Sequence, residues 1–559
     1  MKLTKIFSLA FVAAIFLASC GNSVAPIVST PIENIDTLPL KTAPLTDDET
    51  KSWGAADLLT DTIPGMSVEK AYAEILNNTK RKGQKVIVGV IDSGVDIEHE
   101  DLKNVIWVNE DEIPGNGKDD DNNGFIDDVH GWNFLGDIVG ENMEFTRYVR
   151  RLGPKFEGKS ESAISAADRA DFAIYKKAKA EYDKEYNEAK ANKDRYEQIL
   201  SQLNPAHTAI SKKLGKEDYT QKDLSGIANP SPAEQQQIGM LTQMLSYGES
   251  VPDVIEQLNG GIDYFGGRLE THFNLDKDFR TTLNNDPDDF STKIYGDNDV
   301  DGPDPKEEDA THGTHVAGII AAERNNGIGM NGVANNAEIM VIRTIPDGDE
   351  YDKDVALAIR YAVDNGATVI NTSFGKYFST HPEWVRDAIK YAASKDVLIV
   401  NAAGNEAFDL DGIEVYPNDQ SLTGPEIANN VLTVGALNYK YGSEMVATFS
   451  NYGKSNVDVF APGVRIWSTT PLNEYEYLQG TSMAAPAVAG VAATIRSYYP
   501  NLSAAQVKEV IMNSGLTSKS PVILGGDASN QQNFGDVSKS GKMVNLYNAL
   551  ILADKMSRK

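Results

Sequence analysis

Short, unbroken apolar runs with helical patterns between them constrain this chain more than any other feature. The first run is Lys85-Val86-Ile87-Val88-Gly89-Val90-Ile91, and it stops in Asp92-Ser93-Gly94. Others occupy residues 338–343, 367–373, 397–402 and 431–436. A β-rich run that feeds a tight polar turn is how a buried parallel strand delivers residues to a site. Helical patterns lie between the runs, at 316–323, 352–364 and 383–394. Strands alternating with helices predict an α/β fold with a mostly parallel sheet covered on both faces.

Residues 141–300 break this rhythm. Residues 160–203 are rich in Ala, Lys, Glu and Tyr. Tyr182, Tyr186, Ala189, Tyr196, Leu200 and Leu203 fall at helical spacing, interrupted by Lys193. Ser231-Pro232 signals a helix start, with Ile238, Leu241, Met244 and Leu245 as its apolar face. A mainly helical insertion therefore divides one domain into residues 51–140 and 301–559. A packed arm without chemistry is the plainer reading, and a substrate-binding device the other. Residues 521–559 read as a loop followed by a closing helix from Val544.

The N-terminus reads as targeting. Lys2 and Lys5 precede an apolar run at 6–17, closed by Leu17-Ala18-Ser19-Cys20. About a dozen apolar residues are too few to span a bilayer, so residues 1–20 are expected as a signal peptide. The last four resemble the lipobox of bacterial lipoproteins. That resemblance implies acylation of Cys20 and an extracytoplasmic protein anchored to a bacterial membrane. Cys20 is the single cysteine, so no internal disulfide forms. Residues 21–50, Thr-, Pro- and Asp-rich, are expected as a flexible tether, with order beginning near Trp53. A net charge of −29 argues against nucleic acid and against membrane contact beyond the lipid.

Three segments carry chemistry: Val90-Ile91-Asp92-Ser93-Gly94-Val95-Asp96, Thr311-His312-Gly313-Thr314-His315-Val316-Ala317-Gly318 and Gly480-Thr481-Ser482-Met483-Ala484-Ala485-Pro486. A serine hydroxyl is a poor nucleophile until an imidazole takes its proton. The imidazole needs a buried carboxylate to fix its tautomer. Asp92 ends a strand, and His312 and Ser482 each begin a helix of small residues. The order Asp, His, Ser is the subtilisin order named in a standard example of convergent triads.

All three segments resemble the signature motifs of the subtilase family of serine peptidases. The resemblance covers roughly residues 85–135 and 305–515. It implies Asp92 as orienting acid, His312 as general base and acid, and Ser482 as nucleophile. Asn401-Ala402-Ala403-Gly404-Asn405 is similar to the family's oxyanion segment, with Asn405 donating its amide. Asn371-Thr372-Ser373-Phe374-Gly375 resembles the edge that pairs with the substrate backbone, using Ser373, Phe374 and Gly375. Ala402, Ala403 and Gly404 would then wall the pocket before the scissile bond. The substrates implied are polypeptides, with no organic cofactor. The chain departs from the family in the 220 positions between Asp92 and His312 (312 − 92), which the insertion explains. Residues 21–84 show no clear likeness to an inhibitory propeptide.

Two rival classes remain. One is a recognition module whose acidic insert captures a partner. The other is a metallopeptidase using His312 and His315, although the subtilase pattern holds a second histidine without a metal. Residues 119–128 add a separate signal. Asp119, Asp121 and Asn123 precede Gly124, with Asp127 and Asp128 following. This matches the start of an EF-hand-like loop without its twelfth-position Glu, and oxygen ligands suit Ca²⁺. A second acidic run, 297–304, is open between a cation site and a solvated turn.

Overall fold

The computed structural model describes residues 25–559 apart from 34, 42, 284, 305, 307 and 423. Its central sheet has seven strands: β1 (Val86–Asp92), β2 (Gly131–Asn133), β3 (Ala337–Arg343), β4 (Val369–Thr372), β5 (Leu398–Ala402), β6 (Val431–Leu437) and β7 (Val459–Pro462). Their order is β2-β3-β1-β4-β5-β6-β7, and every neighbouring pair is parallel. β1 lies between β3 and β4, so the chain leaves its two flanks in opposite directions. In open parallel sheets, that reversal opens a crevice at the carboxyl ends of the strands.

Both faces of the sheet are covered, which is why its strands read as continuous apolar runs. Val86, Val88 and Val90 join a core with helices Thr311–Ala321, Thr481–Tyr498 and Ala504–Ser514. Ile91, Met340, Ile342, Ile370 and Ile399 point the other way, to helices Asp352–Asp364 and Pro382–Ser394. The alternation along β1 is the period of two that a pleated strand imposes.

The insertion leaves the sheet after β2. Its longer helices are Glu144–Phe156, Arg169–Leu214, Pro232–Met244 and Val251–Glu270. The second is unbroken at Lys193, which pairs with Glu197 one turn on and so stays on the solvated face. Ser231 caps the third helix with a capping box to Glu234. Two cores share the long helix. Tyr182 and Ala189 pack with Phe145, Phe273 and Phe378 at the base, and Leu200, Leu203 and Ile210 pack with Leu241 and Val254 at the tip.

Two expectations differ from the structure. Residues 25–32, expected within the tether, lie along the C-terminal helix Leu546–Ser557, and Asp36 bonds to Tyr441, Ser518 and Lys519. Ile27 N–H donates to Asp554 at 3.1 Å, and Ile32 N–H donates to Asn548 at 2.8 Å. Ile32 and Ile35 are buried. Each such side chain gains about 2 kcal/mol on burial, enough to hold a polar segment down. The C-terminal loop contains a hairpin, Pro521–Leu524 with Asp527–Asn533, turned by Gly525 and Gly526, both at positive φ. Cys20 and the remainder of residues 1–20 lie outside the described residues. Among the described residues, no helix is long and apolar enough to cross a membrane.

Candidate active site

Asp92 is the last residue of β1, and His312 is the second residue of helix Thr311–Ala321. Asp92 Oδ1 accepts from His312 Nδ1 at 2.6 Å and from Ser93 N–H at 2.9 Å. The carboxylate is 2 % exposed and the imidazole 39 % exposed. Nδ1 therefore carries the proton toward the buried acid, leaving Nε2 for the crevice. Burial favours the neutral imidazole, but the charge and hydrogen bond of Asp92 outweigh it and raise the pKa of His312 above 6.5. Helix and turn come this close because of Gly313. A Cβ there would stand 2.0 Å from the Gly94 carbonyl and 3.2 Å from Asp92 Cβ.

Arg343 braces the same turn and was not singled out by the sequence. It lies opposite Asp92 in the β1–β3 register. Its Nε donates to Ser93 O at 3.0 Å, and its guanidinium pairs with Asp309 at 2.8 Å.

Ser482 is the second residue of helix Thr481–Tyr498, which packs beside the His312 helix. Its hydroxyl donates to the carbonyl of Ser373 at 3.1 Å, and Ser373 Oγ donates back to the Ser482 carbonyl at 2.8 Å. Asn371 Nδ2 donates to Ser373 Oγ at 2.9 Å. The segment after β4 is thereby tied to the serine. Asn405 follows β5. Its Oδ1 accepts from Thr481 N–H at 2.8 Å and Thr481 Oγ1 at 3.1 Å. Those two donors fix the orientation of the amide and leave its NH₂ to donate elsewhere.

Ala402 and Ala403 are buried, and Gly404 turns at φ +100. Behind them lies a network not foreseen from sequence. Asn451 Nδ2 donates to Ala403 O at 2.8 Å and to the Tyr377 hydroxyl at 3.0 Å, and that hydroxyl donates to Glu406. Phe374 is partly buried and Gly375 exposed.

His315 does not join His312. Its Nε2 donates to the carbonyls of Ile466 and Glu476, at 3.1 and 3.2 Å. The ring is fully buried, and burial lowers its pKa to about 4. With His312 turned to Asp92, the two imidazoles present no shared metal site, which corrects the metallopeptidase reading.

The acidic loop draws together Glu112, Asp119 and Asp121, each offering an oxygen within 4.8 Å of the others. Glu112 was missed. Its Oε1 accepts from Asp120 and Asp121 N–H groups, while Oε2 is buried without a hydrogen-bond partner. That orphaned oxygen fits a bound divalent cation. The other three expected ligands are engaged in hydrogen bonds within or beside the loop. Asp127 accepts from Asn116 and Gly117 N–H groups. Asn123 spends its Oδ1 on Phe125 N–H and points its NH₂ at Asp121 and Asp128. Asp128, raised to about 6 by burial, accepts from Tyr361 and Asn109. In the 297–304 run, Asp297 accepts from Asn133 Nδ2 at 2.9 Å and Asp299 N–H at 3.1 Å.

The model of the subtilase family matches residues 83–537. The "Thermophilic serine proteinase" of Bacillus sp. (strain AK1) is 44% identical over 205 residues, 36% of this chain and 46% of that protein. The "Cell wall-associated protease" of Bacillus subtilis (strain 168) is 30% identical over 392 residues, 67% of this chain and 40% of that protein. "Subtilisin BL" of Lederbergia lenta is 35% identical over 232 residues, 41% of this chain and 79% of that protein. The chain thus spans less than half the length of the first two relatives.

Proposed function

The chain belongs to the subtilase family, and from that premise we propose that it is a serine endopeptidase cleaving polypeptides through an acyl-enzyme. The observation that carries this reading is the 2.6 Å bond between Asp92 and His312, closed across 220 positions beside the Ser482 helix. In this mechanism the Ser482 hydroxyl leaves the Ser373 carbonyl, passes its proton to His312 Nε2 and attacks the scissile carbonyl. Asp92 stabilises the imidazolium through Nδ1–H. The Asn405 amide donates to the oxyanion. His312 returns the proton to the leaving amine, and water repeats the cycle on the ester. Ser373, Phe374 and Gly375 pair with the extended substrate, and Ala402, Ala403 and Gly404 wall the pocket for the residue before the cut.

Replacing Ser482 by Ala is expected to abolish casein hydrolysis and serine-directed phosphonate labelling, with kcat falling on the order of 10⁶-fold. Casein cleavage by that variant at the wild-type rate would overturn the assignment.

The cation at Glu112, Asp119 and Asp121 is taken to be Ca²⁺, because an all-oxygen set of carboxylates is the ligand chemistry it prefers. Its place is structural, on the loop before β2. The protein is further proposed to be extracytoplasmic and held to a membrane by acylation of Cys20. Detergent phase partitioning tests this: the native protein enters the detergent phase and the Cys20→Ala variant stays aqueous. Native protein found in the aqueous phase removes the anchor.

A further inference from the structure

The segment Ser373–Gly375 is followed by a lysine that lies in the interior. Lys376 is 2 % exposed. Its backbone pairs both ways with Tyr416, with N–H···O distances of 2.9 Å. Its Nζ donates to the Glu350 carbonyl at 2.7 Å and lies 3.1 Å from the Asp352 carboxylate. The third contact is Glu144, at 3.4 Å.

Glu144 belongs to the insertion, as the first residue of helix Glu144–Phe156. It receives the guanidinium of Arg147 through Nε and Nη2, and the Thr380 hydroxyl. Arg147 also donates to the carbonyls of Asp349 and Glu350, at 2.8 and 3.0 Å. Aromatic packing follows the same line. Phe378 meets Phe145 at 6.0 Å between ring centroids, Lys177 sits 4.6 Å above it, and the Tyr148 hydroxyl donates to Ser379 O at 2.9 Å. Residues 376–381 are thus seated on the insertion.

The segment is therefore held at two ends by different bodies. Ser373 is bonded to Ser482, and Lys376, beside its contacts to Glu350 and Asp352, reaches the insertion through Glu144. Adjacent Cα atoms are 3.8 Å apart, so displacing Lys376 moves Gly375 directly. A buried ion cluster resists displacement because separating its members leaves a charge without a partner in a dry site.

We propose that Lys376 is a positioning residue through which the insertion holds Ser373–Gly375 in register for extended substrates. The inference rests on the peptidase reading above, in which that segment pairs with the substrate backbone. It assigns the insertion a part in substrate engagement without contact to Asp92, His312 or Ser482. A merely structural anchor affects all substrates alike. A positioning anchor discriminates, because only a peptide long enough to pair with the segment senses its place.

The experiment compares Lys376→Met and Glu144→Gln with wild type on two substrates: an anilide with four residues before the scissile bond, and an ester of a single acylated residue. Phosphonate titration counts active sites first. With the tetrapeptide, KM is expected to rise about tenfold in either variant, since small misplacements of a binding element cost this much or more. kcat and the single-residue ester should change less than about twofold, on the same reasoning. Equal losses on both substrates, or no loss in titratable enzyme, overturn the proposal. Should Lys376→Met yield no folded protein, Glu144→Gln, which keeps the shape and one acceptor, decides by the same criteria. Wild type that takes up no phosphonate sinks the peptidase reading, a distinct result that removes this inference with it.

Discussion

The crevice at β1 and the loop before β2 are both organised around a buried carboxylate with one oxygen unpaired, Asp92 Oδ2 in the first and Glu112 Oε2 in the second. They differ in what surrounds that acid. Asp92 meets an imidazole delivered from 220 positions away. Glu112 meets Asp119 and Asp121 from its own loop. A carboxylate beside an imidazole makes a proton switch, completed by tertiary packing. Carboxylates beside carboxylates repel one another until a cation joins them. The same residue type gives chemistry in one place and a demand for positive charge in the other.

Three measurements sharpen or break this distinction. Asn405→Ala is expected to lower kcat by roughly 10²- to 10³-fold, about 3–4 kcal/mol of barrier, with KM and melting temperature little moved. A variant that melts early at unaltered kcat would place Asn405 in the scaffold instead. Chelation by EGTA should act in the opposite sense. It should cost about 2.7 kcal/mol of stability if the cation is held at a hundred times its Kd. The protein that stays folded should keep its phosphonate reactivity. Reactivity lost before stability would mean that the loop serves the chemistry.

The smallest effect is in pH. His312 must be neutral to accept a proton, and its pKa is raised above 6.5 by Asp92. Values of kcat/KM should therefore fall about tenfold per unit on the acid side of a midpoint above 6.5. His315, its basic neighbour on the same helix, has its pKa lowered and adds no second step in that range. The stabilisation from the His312–Asp92 pair runs the other way. It is complete below the unfolded histidine pKa and is lost as pH rises through the higher folded one. An acid limb centred below 6.5 would contradict the pairing.

Much of the catalytic centre was legible because its segments are local: strand end, helix start and turn each lie within a few residues. The helix at Asp352–Asp364 was read to its ends for the same reason. What escaped depends on distant partners. Glu112 precedes Asp119 in an aperiodic stretch and becomes a neighbour only when the loop doubles back. Lys376 looks like a surface lysine until the insertion closes over it. Ile32 and Ile35 are separated by polar residues, so composition hid a segment that packs on the body, with Ile35 opening a single 3-10 turn. Asp527–Asn533 is a strand without a single large apolar residue, with only Gly525-Gly526 to mark its turn.

If Cys20 is acylated as proposed, the docking of that N-terminal segment would set how far the body can move from the membrane. A lipid on Cys20 would be joined to Ala25, whose carbonyl accepts from Arg558, by about five residues, a contour of at most roughly 18 Å. A leash running to residue 50 would reach on the order of 100 Å. With the proposed lipid in place, the shorter one would keep the body within about its own diameter of the bilayer. Under the proposed acylation and activity, proteins presented at the membrane surface would be cleaved ahead of those in free solution.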